Sequence, residues 1–257
     1  MTSVEITYVG GPTALIAIGG LRLLTDPTFD AAGEYPVGAR ELVKTAGPAL
    51  RAEELGPVDA VLLSHDQHPD NLDTSGRAFL RGAPLTLSTA SAHERIGAPV
   101  RALRPWESVE LERPDGGALR VTAVPAQHGP DGSLPLVGEV TGFVLSGEGL
   151  PRVYVSGDNA SLDVVREIAG REGPFDVAVL FAGAARTPLV PDAPLTLTSE
   201  DAARAAEILG ADRVVPLHFE HWGHFTQDGS NLTKAFAEAG LTDRLRLPEP
   251  GAPVRVP

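Results

Sequence analysis

Four apolar runs in this chain each end on side chains able to bind a metal. Val61-Leu62-Leu63-Ser64 leads into His65-Asp66-Gln67-His68-Pro69-Asp70-Asn71, and Val121-Thr122-Ala123-Val124 precedes His128. Val153-Tyr154-Val155-Ser156 precedes Gly157-Asp158, and Val214-Val215-Pro216-Leu217 precedes His218. Each run reads as a short buried strand that hands an imidazole or carboxylate to the following loop, the way sheet proteins gather ligands from distant parts of a chain. One histidine after a strand is ordinarily a packing residue or a satisfied polar group. Independent structural roles for His65, His68, Asp70, His128, Asp158 and His218 together are a poorer account than one metal centre.

The chain contains no cysteine, so thiolate zinc sites are excluded and ligands must come from His, Asp, Glu, Asn or backbone. An ion held by neutral imidazoles and few carboxylates keeps net positive charge, lowers the pKa of bound water toward ~7 and supplies hydroxide at neutral pH. A second ion about 3.5–4 Å away would clamp attacking and leaving oxygens. If one ion binds, Asp70 is free to act as general base. One or two divalent ions are expected, and zinc, manganese and iron(II) all suit N/O donors.

Other residues are weighed less easily. Glu220-His221-Trp222-Gly223-His224-Phe225 follows His218 directly. Either His221 or His224 enters a pocket and polarises a substrate oxygen, or His221 faces solvent and His224 caps local backbone. Trp222 and Phe225 read as core or pocket wall. His93, on a short helix away from the ligand-bearing strand ends, reads as structural. Asp26, before Pro27, is either an outer partner of a ligand histidine or a turn former. Gly10-Gly11-Pro12 and Gly19-Gly20 lack the lysine and helix start of a phosphate loop, and neither Ser64 nor Ser156 has a nucleophile-elbow context.

The elements that must position these groups begin with a β-meander: Val4 to Val9, Ala14 to Ile18 and Leu21 to Thr25, with Met1-Thr2-Ser3 leading straight in. Asp26 to Pro57 loses periodicity and is too long for a plain loop, so it should carry a short helix or cover a site, with Phe29, Tyr35, Val37, Leu42 and Val43 suiting a lid. Strands resume at Asp59 to Ser64, Leu85 to Ser88, Val100 to Leu103, Ser108 to Leu111, Leu119 to Val124, Gly142 to Leu145, Arg152 to Ser156, Asp176 to Phe181 and Arg213 to Leu217. Helices are expected over Ser161 to Ala169, stopping at Gly170, over Ala202 to Leu209 behind Ser199-Glu200-Asp201, and over Leu232 to Ala239 opened by Asn231. Thr187 to Pro194 reads as a surface loop. Strands first and strand-helix alternation later imply an α/β fold, an αββα sandwich of two mixed sheets flanked by helices, in a single domain over 1–257.

In this order and strand context, the chain resembles the metallo-β-lactamase fold superfamily, and within it the ascorbate-6-phosphate lactonase-like metal-dependent hydrolases. The resemblance runs through Leu24-Thr25-Asp26-Pro27, Ser64-His65-Asp66-Gln67-His68-Pro69-Asp70-Asn71-Leu72-Asp73, Pro125-Ala126-Gln127-His128, Ser156-Gly157-Asp158 and Leu217-His218-Phe219. It implies that His65, His68 and His128 hold one ion, that Asp158 bridges, and that Asp70 and His218 hold the other. The family signature, Thr/Ser-His-x-His-x-Asp-His, is broken twice. An extra residue separates His65 from His68, so either His65 or Asp66 stands in the first ligand position; imidazole chemistry and the Ser-His junction favour His65. Asn71 replaces the third histidine, and its weaker amide oxygen leaves the second ion poorly anchored.

The implied activity is hydrolysis of a lactone, another ester or a phosphodiester by metal-bound hydroxide. A non-hydrolytic metal- or ligand-binding protein on the same fold is the alternative. A net charge of -13 and pI near 4.9 disfavour nucleic-acid or anionic-membrane partners and point to a small-molecule substrate. With no apolar run near ~18 residues and no leader pattern at the start, a cytoplasmic protein is expected.

Overall fold

The computed structural model describes residues 3–38 and 40–256. Met1 and Thr2, at the head of the expected meander, lie outside them. The chain opens with the antiparallel strands β1 (Val4–Gly10), β2 (Thr13–Ile18) and β3 (Leu21–Thr25). A separate hairpin follows, β4 (Gly33–Val37) with β5 (Arg40–Lys44). The first sheet then continues through parallel β6 (Ala60–Leu62), β7 (Thr86–Ser88) and β8 (Val100–Ala102), with helices α1 (Thr74–Leu80) and α2 (Ala90–Ile96) as connections.

The second sheet holds β9 (Ser108–Glu112), β10 (Ala118–Pro125), β11 (Thr141–Ser146), β12 (Val153–Val155), β13 (Val177–Phe181) and β14 (Arg213–Leu217). The first four pair antiparallel and the last three parallel. Its helices are α3 (Leu134–Val137), α4 (Leu162–Glu172), α5 (Ser199–Leu209) and α6 (Gly229–Glu238), and the closing strand β15 (Pro253–Val256) returns to pair with β1.

Strand periodicity sorts the core into layers. In β13, Val177, Val179 and Phe181 join the inter-sheet core with Ile6, Ile16 and Leu62 of the first sheet. The alternate residues Ala178 and Leu180 pack outward with Val165 and Ile168 of α4, Ala202 and Ala206 of α5, and Phe236 of α6. On the far side, Leu15, Leu24 and Val61 pack with Leu80 of α1. Strands buried on both faces therefore read as continuous apolar runs, and the layers are α, β, β, α. Among the described residues no helix is long and apolar enough to cross a membrane.

Several expectations need correction. The segment after Asp26 carries the β4–β5 hairpin, with only a 3-10 turn at Ala52–Glu54 in place of a helix; Pro36 and Gly38 hide its strand periodicity. Helix α4 passes through Gly170 and ends at Gly173 beside Pro174, because an interior glycine costs only ~1 kcal/mol whereas proline lacks the N–H to continue. Helix α6 starts two residues before the expected Asn231: Asp228 accepts from the Asn231 N–H, and the Asn231 side chain reaches back to the Asp228 N–H at 3.0 Å. Within 187–194, Leu189 is exposed but Val190 packs against Val137 and Ala185.

Gly157 shows how tightly the strand ends converge. It has φ +56°, and a Cβ there would lie 2.6 Å from the Thr141 carbonyl oxygen and 2.9 Å from Ser64 Cβ. Gly157→Ala should therefore lower stability by about 2–4 kcal/mol, read from the midpoint of urea unfolding. An unchanged midpoint would mean that the backbone beside Asp158 is free to relax.

Candidate metal centre

All the ligand-type residues singled out by strand context lie past the carboxyl ends of β3, β6, β10, β12 and β14. Two groups form there. One donor atom each from His65, His68 and His128, and one each from Asp70, Asp158 and His218, lie within 4.8 Å of one another in their own triads. Asp158 stands between them, with Oδ2 3.6 Å from His128 Nε2 and Oδ1 3.3 Å from His218 Nδ1. Asp70 Oδ2 is 3.3 Å from His218 Nε2.

The hydrogen bonds behind these rings set their tautomers. Asp26 accepts from the Ser64 N–H at 2.5 Å and from the Ser64 hydroxyl at 2.7 Å. With its proton so used, the Ser64 oxygen accepts from His65 Nδ1 at 3.0 Å, leaving the lone pair of His65 Nε2 free. His128 Nδ1 donates to the Leu195 carbonyl at 2.9 Å, and its Nε2 is buried without a partner. His68 Nδ1 lies 2.9 Å from His65 Nε2. Burial pushes the pKa of all three rings down, helped at His65 by His68 and His128, and His128 falls to about 3. Neutral imidazoles whose lone pairs converge suit a divalent cation.

The second triad makes the same point through charge. Burial, followed by the charges of Asp70 and Asp26, raises Asp158 well above the carboxylate range. Burial also acts to raise Asp70, but His224 and His218 outweigh it and hold Asp70 well below that range. Burial lifts Asp26 to about 7 against its donors from Ser64 and Asn71. Three buried carboxylates this close call for a cation. Asp70 Oδ1 and both ring nitrogens of His218 are buried without hydrogen-bond partners, so the donor set fits a metal.

Asn71 is held by carboxylates on both sides. Its Nδ2 donates to Asp26 Oδ2 at 3.3 Å and to Asp158 Oδ1 at 3.2 Å, leaving Oδ1 buried and unpartnered. Asp66 lies in neither triad, because its carboxylate accepts from Arg95 Nε at 2.9 Å and stands 3.6 Å from Arg77. His224 Nε2 is 3.0 Å from Asp70 Oδ2. His221, with φ +75°, packs beside Gly10 and Tyr8 and is not part of the cleft wall. His93 is exposed, its Nδ1 2.6 Å from the Val100 carbonyl. Trp222 is core, with Lys44 Nζ 5.5 Å over its ring.

A narrow cleft, open to solvent, leads to His68, Asp70, His128 and Asp158. Val37, Arg40 and Leu42 of the β4–β5 hairpin form part of its wall, so the unassigned segment does cover the site. The hairpin is fastened at its base: the Gly223 N–H donates to Val43 O at 2.8 Å, and buried Lys44 reaches Asp73 Oδ2 at 3.2 Å. Arg40, Arg186 and Leu136 escaped the sequence reading. Only their position shows their relevance, since none stands beside a ligand in the chain.

Residues 21–219 match the family described as the beta-lactamase superfamily domain. The chain belongs to that family. Among relatives, it is 28% identical to the UPF0173 metal-dependent hydrolase of Rubrobacter xylanophilus over 96% of this chain and 94% of that one. Solved structures of this superfamily shape include an isothiocyanate hydrolase from Delia radicum gut bacteria, TM-score 0.80 at 22% identity, with 97% and 98% of the two chains covered. Another is described as a possible metal-dependent hydrolase of Veillonella parvula, TM-score 0.84 at 18% identity over 98% and 99%. Both share the α, β, β, α layering.

His128→Ala and His218→Ala should each lower bound metal at least tenfold in affinity, on the scale of losing one of few ligands. Asp66→Asn should leave metal content unchanged while lowering stability by about 1–3 kcal/mol through its arginine partners. Elemental analysis and urea unfolding read the two effects separately. Loss of metal in Asp66→Asn with full retention in His65→Ala would reverse the assignment of the first ligand.

Proposed function

We propose that the chain is a metal-dependent hydrolase that cleaves a lactone or other ester, or a phosphodiester. The observation that carries this reading is the convergence of two ligand triads, with unpartnered imidazole nitrogens, at the foot of a cleft open to solvent. The name of the Rubrobacter relative supports the same class. His65, His68 and His128 would hold one ion, Asp70 and His218 a second, and Asp158 both. Zinc, manganese or iron(II), when bound, would supply Lewis acidity that polarises the scissile group and acidifies water.

The protein's own residues do the rest. Where only one ion binds, Asp70, held ionised by its histidine neighbours, is free to take the proton of the attacking water. His224, bonded to that carboxylate through Nε2, fixes its orientation and stands at the cleft wall on the substrate side. Water oxygen adds to the carbonyl carbon or phosphorus, the ester C–O or P–O bond breaks, and the leaving oxygen recovers a proton. Burial of Ser64 and Asp26 beneath the ring of His65 keeps that ring from turning.

Stripping metal with a chelator should abolish turnover across a panel of lactones, aryl esters and bis-aryl phosphodiesters, and re-addition should restore it. Asp70→Asn should lower kcat by about 100-fold or more. A metal-loaded protein that binds panel members but turns over none would favour the non-hydrolytic alternative.

Asn71 bears on stoichiometry. With Nδ2 engaged by two carboxylates and no histidine at this position, His218 is the one imidazole left to the second ion, which should be held more weakly than the first. After chelator challenge the protein should retain nearer one ion than two, and Asn71→His should raise that number. Two tightly retained ions in the unmodified protein would contradict this.

A further inference from the structure

Resting on the hydrolase reading, we propose that Arg40 and Arg186 form an anion-binding subsite, so that the substrate carries a carboxylate or phosphate on an apolar body besides the bond that is cut. Both residues line the cleft together with His68 and Asp70, yet they come from different elements, β5 and the loop before Thr187. Arg40 donates to the Thr187 hydroxyl, and Arg186 Nη1 lies 3.4 Å from the Pro191 carbonyl.

Neither guanidinium has a carboxylate partner among the described residues, in contrast to Arg77 and Arg95, which share Asp66, or Arg120 beside Glu110. Each keeps unspent N–H donors in a planar fork suited to an oxyanion.

The chemistry of the rest of the cleft narrows the ligand. The chain carries a net charge of -13, so its general field repels anions and a local cationic wall is needed to admit one. The cleft wall also carries apolar residues: Leu42 on β5, Leu136 and Val137 on α3, and Leu195. Of these, Leu136 is 52% exposed. Apolar side chains and two arginines lining one cleft fit an amphiphilic anion better than a sugar or a free inorganic ion.

Isothermal titration calorimetry with hexanoate, hexyl phosphate, hexanol and hexylammonium tests this on the metal-loaded protein. The first two should bind, and Arg40→Ala and Arg186→Ala should each weaken the preferred anion about tenfold or more, the scale of a lost charge-assisted bond. Comparing hexanoate with hexyl phosphate identifies which anion the site prefers. Because Arg40 also ties the hairpin to Thr187, Arg40→Gln, which keeps a donor without the charge, should show the same loss. Unchanged anion affinity in the alanine variants, retained affinity in Arg40→Gln, or loss accompanied by a fall in metal content would each overturn the subsite. Anion binding that depends on both arginines in a protein that hydrolyses nothing would keep the subsite and remove the hydrolase reading. Hydrolysis with anion affinity indifferent to both substitutions would do the reverse.

Discussion

Asp26, Asp70 and Asp158 are each almost wholly buried, and the charge of Asp70 acts to raise the pKa of both Asp26 and Asp158. Packing three carboxylates into a dry corner is unfavourable unless positive charge or donors meet them. Much of the local architecture supplies those donors: Ser64 and Asn71 face Asp26, and His218 and His224 face Asp70. What remains unmet is an acceptor-rich space bounded by neutral imidazoles. The metal centre is thus a charge problem that the fold has left for a cation to complete.

The sandwich makes this arrangement possible because its strands are stiff and their carboxyl ends gather at one edge. Five strand ends deliver the side chains, and the inter-sheet core formed by residues such as Phe143, Phe181 and Leu217 holds the ends in register. Backbone detail then sets the final approach. His218 has φ +57° and donates its N–H to the Gly11 carbonyl at 2.7 Å, so the turn after β14 is bound to the turn between β1 and β2. Such a conformation costs on the order of 1–3 kcal/mol for a non-glycine residue and persists because neighbouring contacts impose it.

The strands that carry ligands were legible because burial on both faces writes them as uninterrupted apolar runs, and the ligands stand directly after them. The β4–β5 hairpin was not, since it is pinned by long-range bonds from Val43, Lys44 and Thr45 to residues near 221–223 and 73 that no local pattern announces. The ambiguity between His65 and Asp66 also needed three dimensions. Arg95 lies 29 residues from Asp66 in the chain, and only its position shows where that carboxylate goes. Closing strand β15 was missed for a related reason, as Pro253-Val254-Arg255-Val256 is short and polar on its exposed side.

The hairpin supplies Val37, Arg40 and Leu42 to the cleft but none of the triad donors. It forms a two-stranded sheet of its own, joined to the sandwich through a few bonds from Val43, Lys44 and Thr45 at its base and from Arg40 to Thr187 near its turn. Selectivity and reactivity are therefore carried by separable pieces of chain. Exchanging this hairpin for one of another length or charge would redirect the protein to other molecules while the metal-binding edge beneath stayed intact, a modularity through which one inherited centre can serve many chemistries.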